Sequence, residues 1–330
     1  MIKKSMLKKV MSVCMAATLV MGMTGCSTAD SKAPAKAQTS TTEAVKTEAA
    51  ESVTTAELSN AEKWGIDEFT FVLIPGEDSE KDVQLRDSVA EDLSEALDLP
   101  VSVYRATDYN AAVEAMRTGN AQLVWLGAFS YVTAVERAGA ECICVKSRDG
   151  ETGYHSLILA KPDSGINGLA DLEGKNFGFV EPSSTSGNIV PSNDILNELG
   201  LDLSFDELHM DGKFFDTVTY VGNHQASLQA VLQGNVDAAA ISSNTYNNQI
   251  EKGNVKESDF KIVHSSVTIP GSVISIQKDL PEDLKQQVTD FLLSYDNEEF
   301  LGDPGYKFVA VEDSEYDVIR ELQEKYGLTD

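Results

Sequence analysis

The chain has 330 residues, of which 53 are acidic and 26 basic, so its formal net charge at pH 7 is −27. Nucleic acid and anionic lipid surfaces repel so acidic a protein, and we expect it to bind neither. If the ligand is a small anion, local hydrogen-bond donors must hold it, because the overall field of the protein does not attract it.

The first 25 residues have the composition of an export signal. Four lysines lie within the first nine residues, and an apolar stretch at 10–23 follows them. This stretch is shorter than the roughly 20 residues that span a bilayer as a helix, which favours its removal as a signal peptide, residues 1–25. The Met-Thr-Gly before Cys26 resembles the lipobox of bacterial lipoproteins, in which the cysteine becomes the acylated first residue. An ordinary signal peptide with an incidental cysteine is the alternative.

Residues 26–64 are dominated by Ala, Thr, Ser, Glu and Lys. Such a segment buries too little apolar surface to offset the entropy of ordering, so we predict a disordered tether behind the anchor. Downstream, Cys142 and Cys144 are predicted to be free thiols, because a bridge between residues so close would be strained. No other Cys or clustered His indicates a metal site, and we expect no cofactor.

The remaining chain is longer than one ordinary core and fits two lobes. Strands alternate with helices throughout, which predicts an α/β fold in which each lobe is a mostly parallel sheet flanked by helices. We place lobe 1 at 65–154 and 271–330 and lobe 2 at 155–270, joined by a two-segment hinge near 153–156 and 264–271. The predicted strands are 69–74, 101–104, 123–126, 141–146, 155–160, 176–180, 217–221 and 236–241. The predicted helices include the one that carries Leu85 to Leu97, then 109–118, 129–137, 224–233, 281–294 and 315–326.

The most informative segment runs from Glu181 to Gly187 with the sequence EPSSTSG. It leaves a predicted strand and enters a helix, so the hydroxyls of Ser184, Thr185 and Ser186 meet free backbone N–H groups at a helix N-terminus. Such a terminus binds anions without a cationic side chain. The alternative is that one serine only caps the helix. Three consecutive hydroxyls exceed what a single cap needs, and we expect Gly187 to let a ligand approach the backbone.

Three other helices begin in the same way, at the carboxyl ends of predicted strands where open α/β sheets bind ligands. They place Tyr109, Tyr131 and His224 near that edge. A phenol can donate to an oxyanion, and a protonated imidazole can donate from either nitrogen. Tyr131 could instead be a core aromatic residue, and Tyr109 and His224 could have purely structural roles.

These residues together resemble the periplasmic phosphonate/phosphite/phosphate-binding proteins of ABC transporters, over almost all of residues 69–328. Three positions depart from the usual pattern of that family, namely Ala128, Asn223 and Gln225. The motifs that carry the resemblance are Ala106-Thr107-Asp108-Tyr109, Leu126-Gly127-Ala128-Phe129-Ser130-Tyr131, Ser184-Thr185-Ser186-Gly187, Gly222-Asn223-His224-Gln225-Ala226-Ser227 and Val236-Asp237-Ala238.

The resemblance implies a periplasmic-binding-protein-like type II fold and a lipid-anchored, extracytoplasmic, monomeric protein that delivers a phosphorus oxyanion to a membrane permease. It also implies that the ionised carboxylate of Asp237 accepts the proton of a P–OH group, which sulfate lacks. The alternative for Asp237 is that it only caps a turn after its strand. The ligand residues implied are Tyr109, Tyr131, Ser184, Thr185, Ser186, His224 and Asp237.

Other functions remain open from the sequence. A sensor that presents the same anions to a receptor would have the same sequence features. A secreted phosphoester or phosphonate hydrolase would ordinarily need metal ligands or cationic side chains beside the reacting phosphorus, and the sequence offers no cluster of that kind. Another small anion could also be the cargo.

Overall fold

The computed structural model describes residues 58–75, 80–302 and 305–329. All eight predicted strands are present, whereas the strands Lys261–Ser265, Val273–Gln277 and Tyr306–Ala310 were not predicted. The signal peptide, Cys26 and most of the tether lie outside the described residues. The strands are β1 Phe69–Leu73, β2 Val101–Arg105, β3 Leu123–Leu126, β4 Ala140–Arg148, β5 Ser156–Ala160, β6 Asn176–Phe179, β7 Thr217–Tyr220, β8 Ala238–Ser242, β9 Lys261–Ser265, β10 Val273–Gln277 and β11 Tyr306–Ala310. The α-helices are α1 Asn60–Trp64, α2 Glu80–Leu97, α3 Tyr109–Arg117, α4 Ala128–Ala138, α5 Val190–Glu198, α6 Phe205–Leu208, α7 His224–Gln233, α8 Ser243–Glu251, α9 Glu282–Ser294, α10 Glu298–Leu301 and α11 Asp317–Tyr326.

The strands form two sheets. A six-stranded sheet in the order β11-β4-β10-β3-β1-β2 belongs to lobe 1, and a five-stranded sheet in the order β7-β6-β8-β5-β9 belongs to lobe 2. The prediction of an α/β fold is therefore confirmed, and both sheets are mixed: four of the six strands of lobe 1 and four of the five strands of lobe 2 run in the same direction. The strands β1, β2 and β3 are mutually parallel, whereas β10 pairs antiparallel with β3 and β4. In lobe 2, β5 likewise runs antiparallel to β8 and β9.

Helical periodicity accounts for the core of lobe 1. On α2, Val89, Leu93 and Leu97 recur every four residues, and all three are buried against one face of the six-stranded sheet. The helix α9 adds Leu284 and Val288 to the same cluster. Each buried aliphatic side chain of this kind contributes about 1.5–3 kcal/mol. This stable scaffold fixes the carboxyl ends of β1, β2 and β3.

The chain crosses between the lobes twice, and the two crossing segments touch. Tyr154 and Ile269 exchange two backbone hydrogen bonds of 3.1 and 2.8 Å. A Cβ atom at Gly153 would lie 2.3 Å from Thr268 Cγ2, and one at Gly271 would lie 2.4 Å from the carbonyl oxygen of Thr152. Glycine is therefore required at both positions, because only a residue without a side chain lets these two segments pack so closely.

The tether ends earlier than residue 64. Ser59 caps α1 in a reciprocal arrangement with Glu62, and the indole of Trp64 is buried against lobe 1. Trp64 Nε1 donates to Asp283 Oδ2 at 3.1 Å. The prediction that residues 60–64 belong to a disordered segment is wrong, because a capping box and one large aromatic side chain suffice to dock this short helix.

Candidate ligand-binding site

The segment after β6 makes a single π-helical turn, Thr185–Ile189, before α5 begins. Ser184 caps this turn, since its Oγ accepts the N–H of Gly187 at 3.2 Å and its carbonyl oxygen accepts the N–H of Asn188 at 3.0 Å. The backbone N–H groups of Thr185 and Ser186 are thus the first-turn donors left for another acceptor. A serine cap and an anion-binding helix start were alternatives from the sequence. The structure has both, because Ser184 caps the turn and two N–H groups remain as donors.

Gly187 has a packing role in this turn. A Cβ atom at this position would lie 2.3 Å from Val180 Cγ2 and 2.7 Å from Ser184 Oγ. Val180 also donates its N–H to the carbonyl oxygen of Gly187 at 3.0 Å. Gly187 is needed for the turn to pack on the end of β6, and the expectation that it also admits a ligand stays a prediction.

The three hydroxyls of this turn are buried between the lobes. Thr185 Oγ1 accepts the N–H of Phe129, on α4 of lobe 1, at 2.8 Å. Ser186 Oγ makes no hydrogen bond to any described residue, although Ser186 is only 1% exposed. An unpaired buried hydroxyl is destabilising and rare in folded proteins. Three other buried serine hydroxyls among the described residues, those of Ser147, Ser227 and Ser275, also lack a partner. Ser186 is the one that lies in this turn, beside the Tyr154 hydroxyl, where a bound acceptor would satisfy it.

Two tyrosines complete the cluster. The Tyr109 hydroxyl lies beside that of Ser184, and the Tyr154 hydroxyl lies beside those of Ser186, Thr185 and Ser272. Burial raises the pKa of both phenols, so both keep their protons and act as neutral donors. Tyr154 was missed by the sequence analysis because it follows a hinge glycine, outside any helix or strand pattern.

Gly127 keeps this cluster open from the side of lobe 1. A Cβ atom added at Gly127 would lie 3.2 Å from Thr185 Oγ1 and 3.8 Å from Tyr109 Cε1. The same atom would lie 3.7 Å from the buried Ser130 Oγ, which donates to the carbonyl oxygen of Gly127 at 3.1 Å. We call Tyr109, Tyr154, Ser184, Thr185 and Ser186 the hydroxyl cluster, and Gly127 forms its wall.

Tyr131 is not part of the hydroxyl cluster. Its hydroxyl donates to Asp313 Oδ1 at 2.6 Å, and its ring packs against Tyr316 with centroids 4.7 Å apart. Asp313 Oδ1 also forms an ion pair with Arg320 Nη2 at 2.6 Å. The prediction of Tyr131 as a ligand residue is corrected in favour of a core aromatic residue, because the hydroxyl is already paired with a carboxylate.

His224 lies at the start of α7, beside the carboxyl end of β8. Its Nδ1 atom accepts the backbone N–H of Ser242, the last residue of β8, at 3.1 Å. Burial lowers the pKa of His224 to about 4, so the ring is neutral at pH 7. Because Nδ1 is an acceptor, the ring proton lies on Nε2. A single neutral donor thus replaces the protonated ring that the sequence analysis considered.

Asp237 lies at the opposite edge of the same sheet. It precedes β8, is exposed, and its Oδ2 accepts the backbone N–H of Asn176 at 2.8 Å. The strands β6 and β8 are parallel, so Asn176 and Asp237 share the amino edge, whereas Ser184 and Ser242 lie at the carboxyl edge. The prediction of Asp237 as a ligand residue is corrected, and so is the alternative of a cap on a turn after its strand, because Asp237 precedes β8 and its carboxylate bonds the start of β6.

A different carboxylate lies at the junction of the lobes. Glu181 Oε2 accepts the N–H of Tyr109 at 3.2 Å, at the start of α3. Burial raises the pKa of Glu181. On the surface, Arg148 of lobe 1 pairs with Glu251 of lobe 2 at 2.9 Å. Together with the bond from Phe129 to Thr185, these contacts hold the lobes closed over the hydroxyl cluster.

One group of metal-ligand residue types lies elsewhere on lobe 2. Asp194, Glu198 and His264 bring one donor atom each within 4.8 Å of one another, a proximity that their sequence separation did not reveal. His264 Nε2 and Asp194 Oδ2 are 2.9 Å apart, and this contact raises the pKa of His264. His264 and Asp194 thus form a hydrogen-bonded pair between β9 and α5.

Two α/β lobes that meet through paired crossing segments, with buried neutral donors between them, define the class of two-lobed substrate-binding proteins. A model of the family described as "ABC transporter, phosphonate, periplasmic substrate-binding protein" matches residues 71–316. The chain belongs to this family. It is therefore an extracytoplasmic substrate-binding protein of an ABC transporter, as the resemblance implied.

Known relatives agree with this assignment. The "Phosphate-import protein PhnD" of Mycolicibacterium smegmatis is 31% identical over 278 residues, which cover 78% of this chain and 85% of that protein. The binding component of an ABC phosphonate transporter from Pseudomonas aeruginosa superposes with a TM-score of 0.70 at 26% identity, covering 80% of this chain and 87% of its own. PhnD1 of Prochlorococcus marinus, solved with methylphosphonate, shares the fold with a TM-score of 0.68 at 22% identity, covering 79% and 98%.

Proposed function

We propose that this protein captures a small phosphorus oxyanion, a phosphonate, phosphite or phosphate, in the hydroxyl cluster and delivers it to the membrane permease of its transporter. The names of the relatives, which refer to phosphate import and to phosphonate, support this class of ligand. In this proposal Tyr109, Ser184, Thr185 and Ser186 hold the phosphorus oxygens, Tyr154 joins them, and His224 donates from Nε2.

The observation that carries the proposal is the buried, unpaired hydroxyl of Ser186 beside the free first-turn N–H groups. An oxyanion there would accept hydrogen bonds from these donors and would also be attracted by the positive end of the helix dipole. Neutral donors suit a protein of net charge −27, since they bind the anion without any change in ionisation at pH 7.

Capture would proceed by closure of the lobes about the crossing segments at Tyr154 and Ile269. The ligand contacts Ser186 on lobe 2 and Tyr109 on lobe 1, so it stabilises the closed state over the open one. A permease that recognises both lobes together then distinguishes loaded from empty protein. A sensor role remains the second candidate, because the same closure can be read by a receptor.

The remaining parts of the proposal concern attachment and chemistry. We propose that Cys26 is acylated and tethers the mature protein to the outer face of the cell membrane. Among the described residues no helix has the length and apolar character to cross a bilayer. We also propose that the anion leaves unchanged, so that incubation with a chromogenic phosphate ester yields no product.

A thermal-shift screen of the mature protein tests the ligand class. Phosphate, phosphite, methylphosphonate, 2-aminoethylphosphonate and sulfate are compared at equal concentrations. At 100 times the dissociation constant, a true ligand stabilises the protein by about 2.7 kcal/mol, which raises the melting temperature measurably. Stabilisation by at least one phosphorus compound is expected, and no response to any of them would overturn the proposal.

A further inference from the structure

A second compartment of the inter-lobe cleft is large enough to hold an organic substituent. It is a cavity of about 660 Å³ beside the carboxyl ends of β1 and β2. Organic ligands occupy pockets of about 300–1,000 Å³, which is far more space than a bare oxyanion needs. Its walls come from both lobes, since Trp125 and Tyr306 belong to lobe 1 and Asn244 and Thr245 belong to α8 of lobe 2.

This compartment adjoins the hydroxyl cluster through Ser272 and adjoins His224 through Thr245. Ser272 lines the cavity, and its side chain lies beside the hydroxyl of Tyr154. Thr245 lines it as well, and its N–H donates at 3.4 Å to Ser242, whose own N–H bonds His224. A molecule with its phosphorus group in the hydroxyl cluster can therefore extend its substituent into this compartment.

Aromatic side chains form one wall of the compartment. The Trp125 ring lies 6.4 Å from that of Phe300, and Trp125 Nε1 donates to the carbonyl oxygen of Ser272 at 3.3 Å. Tyr306 lies on the edge strand β11, which pairs with β4, and the ammonium of Lys146 on β4 lies 4.1 Å from the centroid of the Tyr306 ring. This wall offers apolar surface to a carbon chain and ends at a cation.

Among the residues that the structure describes, four cationic ones line the compartment, namely Arg86, Arg105, Lys146 and Arg148. Arg148 pairs with Glu251 and Arg105 donates to the carbonyl oxygen of Ile74, whereas Lys146 lies over the Tyr306 ring. No carboxylate among the described residues lies within ion-pair distance of the Lys146 ammonium.

Burial, together with the nearby cations Lys252 and Arg148, lowers the pKa of Lys146 to about 8. The carboxylates that line the same cavity, Asp149 and Glu151, are exposed. A partly buried cation held only by a ring face gains from an anionic partner.

We propose that this compartment selects phosphorus compounds whose organic substituent carries a second anionic group, such as a carboxylate, over those that carry an ammonium. Lys146 pairs with that group and the Trp125–Tyr306 wall packs on the chain that links it to phosphorus. This inference rests on the proposed function, because the hydroxyl cluster must first hold the phosphorus oxygens.

Calorimetry at pH 7 with three probes tests the selection: methylphosphonate, 3-phosphonopropionate and 2-aminoethylphosphonate. We expect 3-phosphonopropionate to bind at least tenfold more tightly than 2-aminoethylphosphonate. Lys146→Met should remove this preference and leave the affinity for methylphosphonate within about twofold, which also shows that the variant is folded. Lys146→Gln provides a second variant, and Lys307→Met, at an exposed position of β11, is the matched control that should keep the preference.

Two outcomes would overturn the inference alone. In the first, 2-aminoethylphosphonate binds as tightly as 3-phosphonopropionate or more tightly. In the second, the preference survives in both Lys146 variants. In either case methylphosphonate still binds and the proposed function stands. Failure of the wild-type protein to bind any of the three probes would instead overturn the proposed function, and the inference with it.

Discussion

The two edges of the lobe 2 sheet carry similar polar residues but differ in what surrounds them. At the carboxyl edge, Ser184, Thr185 and Ser186 are buried under lobe 1, and Thr185 bonds Phe129 across the junction. At the amino edge, Asp237 is exposed and bonds only its neighbour strand through Asn176. A strand of five residues is about 16 Å long, so one small anion cannot touch both edges.

The comparison shows that the ligand-binding edge is identified by burial and strand direction, and not by residue type alone. A carboxylate or hydroxyl next to a strand is a ligand candidate only at the edge that the second lobe covers. The hydroxyl cluster meets this condition, and Asp237 does not. Substitutions at the two edges should therefore have very different effects on binding.

The largest effect is expected for Thr185→Val at the carboxyl edge. The change removes a ligand hydroxyl and leaves the buried N–H of Phe129 without its acceptor, which together cost about 2–4 kcal/mol, a loss of roughly 30-fold or more in affinity. Titration calorimetry with the best ligand of the thermal-shift screen measures it. Ser183→Ala, two residues before Thr185 and less buried, is the control and should change affinity less than threefold. Equal losses in both variants would contradict the comparison.

The second effect concerns the pH dependence of folding. The pKa of His224 falls to about 4 in the folded protein from a usual value near 6.5, so the unfolded state binds the extra proton between these values. Stability should be lost as pH falls from 6.5 toward 4, by on the order of 2 kcal/mol at pH 4.5. Urea unfolding of the wild-type protein and His224→Gln at pH 7.5 and 4.5 measures the difference.

His264 is an internal control for that experiment. Asp194 raises its pKa, so its contribution is present at low pH and is lost as pH rises through the raised value. His264→Gln should therefore be more destabilising at pH 5 than at pH 8, opposite in sign to the behaviour expected for His224→Gln. The same pH trend in both variants would contradict the two assignments.

A smaller effect is expected for Gly127→Ala in the wall of the hydroxyl cluster. The new methyl group would sit 3.2 Å from Thr185 Oγ1 and must push it away from the ligand position, for a loss of about tenfold in affinity. Gly168→Ala adds the same methyl group where nothing lies within 4 Å and should bind normally. Surface plasmon resonance with the immobilised variants compares the two. Unchanged binding by Gly127→Ala would mean that this wall does not border the ligand.

No effect is expected for Asp237→Asn at the amino edge. The amide oxygen can still accept the N–H of Asn176, so affinity for phosphate or phosphonate should stay within about twofold and sulfate should bind no better than before. Calorimetry with both anions provides the measurement. A clear gain in sulfate binding would restore the proton-accepting role first expected for this carboxylate.

The order of elements could be read from the sequence because apolar periodicity is local. The helix α7 was predicted with its observed bounds, and the Leu85 to Leu97 pattern identified α2. The strands β9, β10 and β11 were not predicted, and the direction of β10 depends on its return from the other lobe. That return is a property of the tertiary fold.

The site was only partly predictable, for related reasons. The run from Ser184 to Ser186 was found because strand, turn and helix follow one another in sequence. Tyr131 was misassigned since neighbouring helix residues face directions about 100° apart, and Ser130 is the one beside Gly127. Tyr154 was missed because only the packing of the two crossing segments brings it to Ser186.

The Ser186→Ala variant tests the central claim most directly. Because Ser186 Oγ has no partner among the described residues, its removal should leave the unliganded protein as stable as before or slightly more so, while affinity for the phosphorus ligand falls about tenfold. Paired urea unfolding and calorimetry measure the two quantities on the same preparations. Unchanged affinity in Ser186→Ala, or a stability loss that accounts for the weaker binding, would contradict an oxyanion site at this helix start.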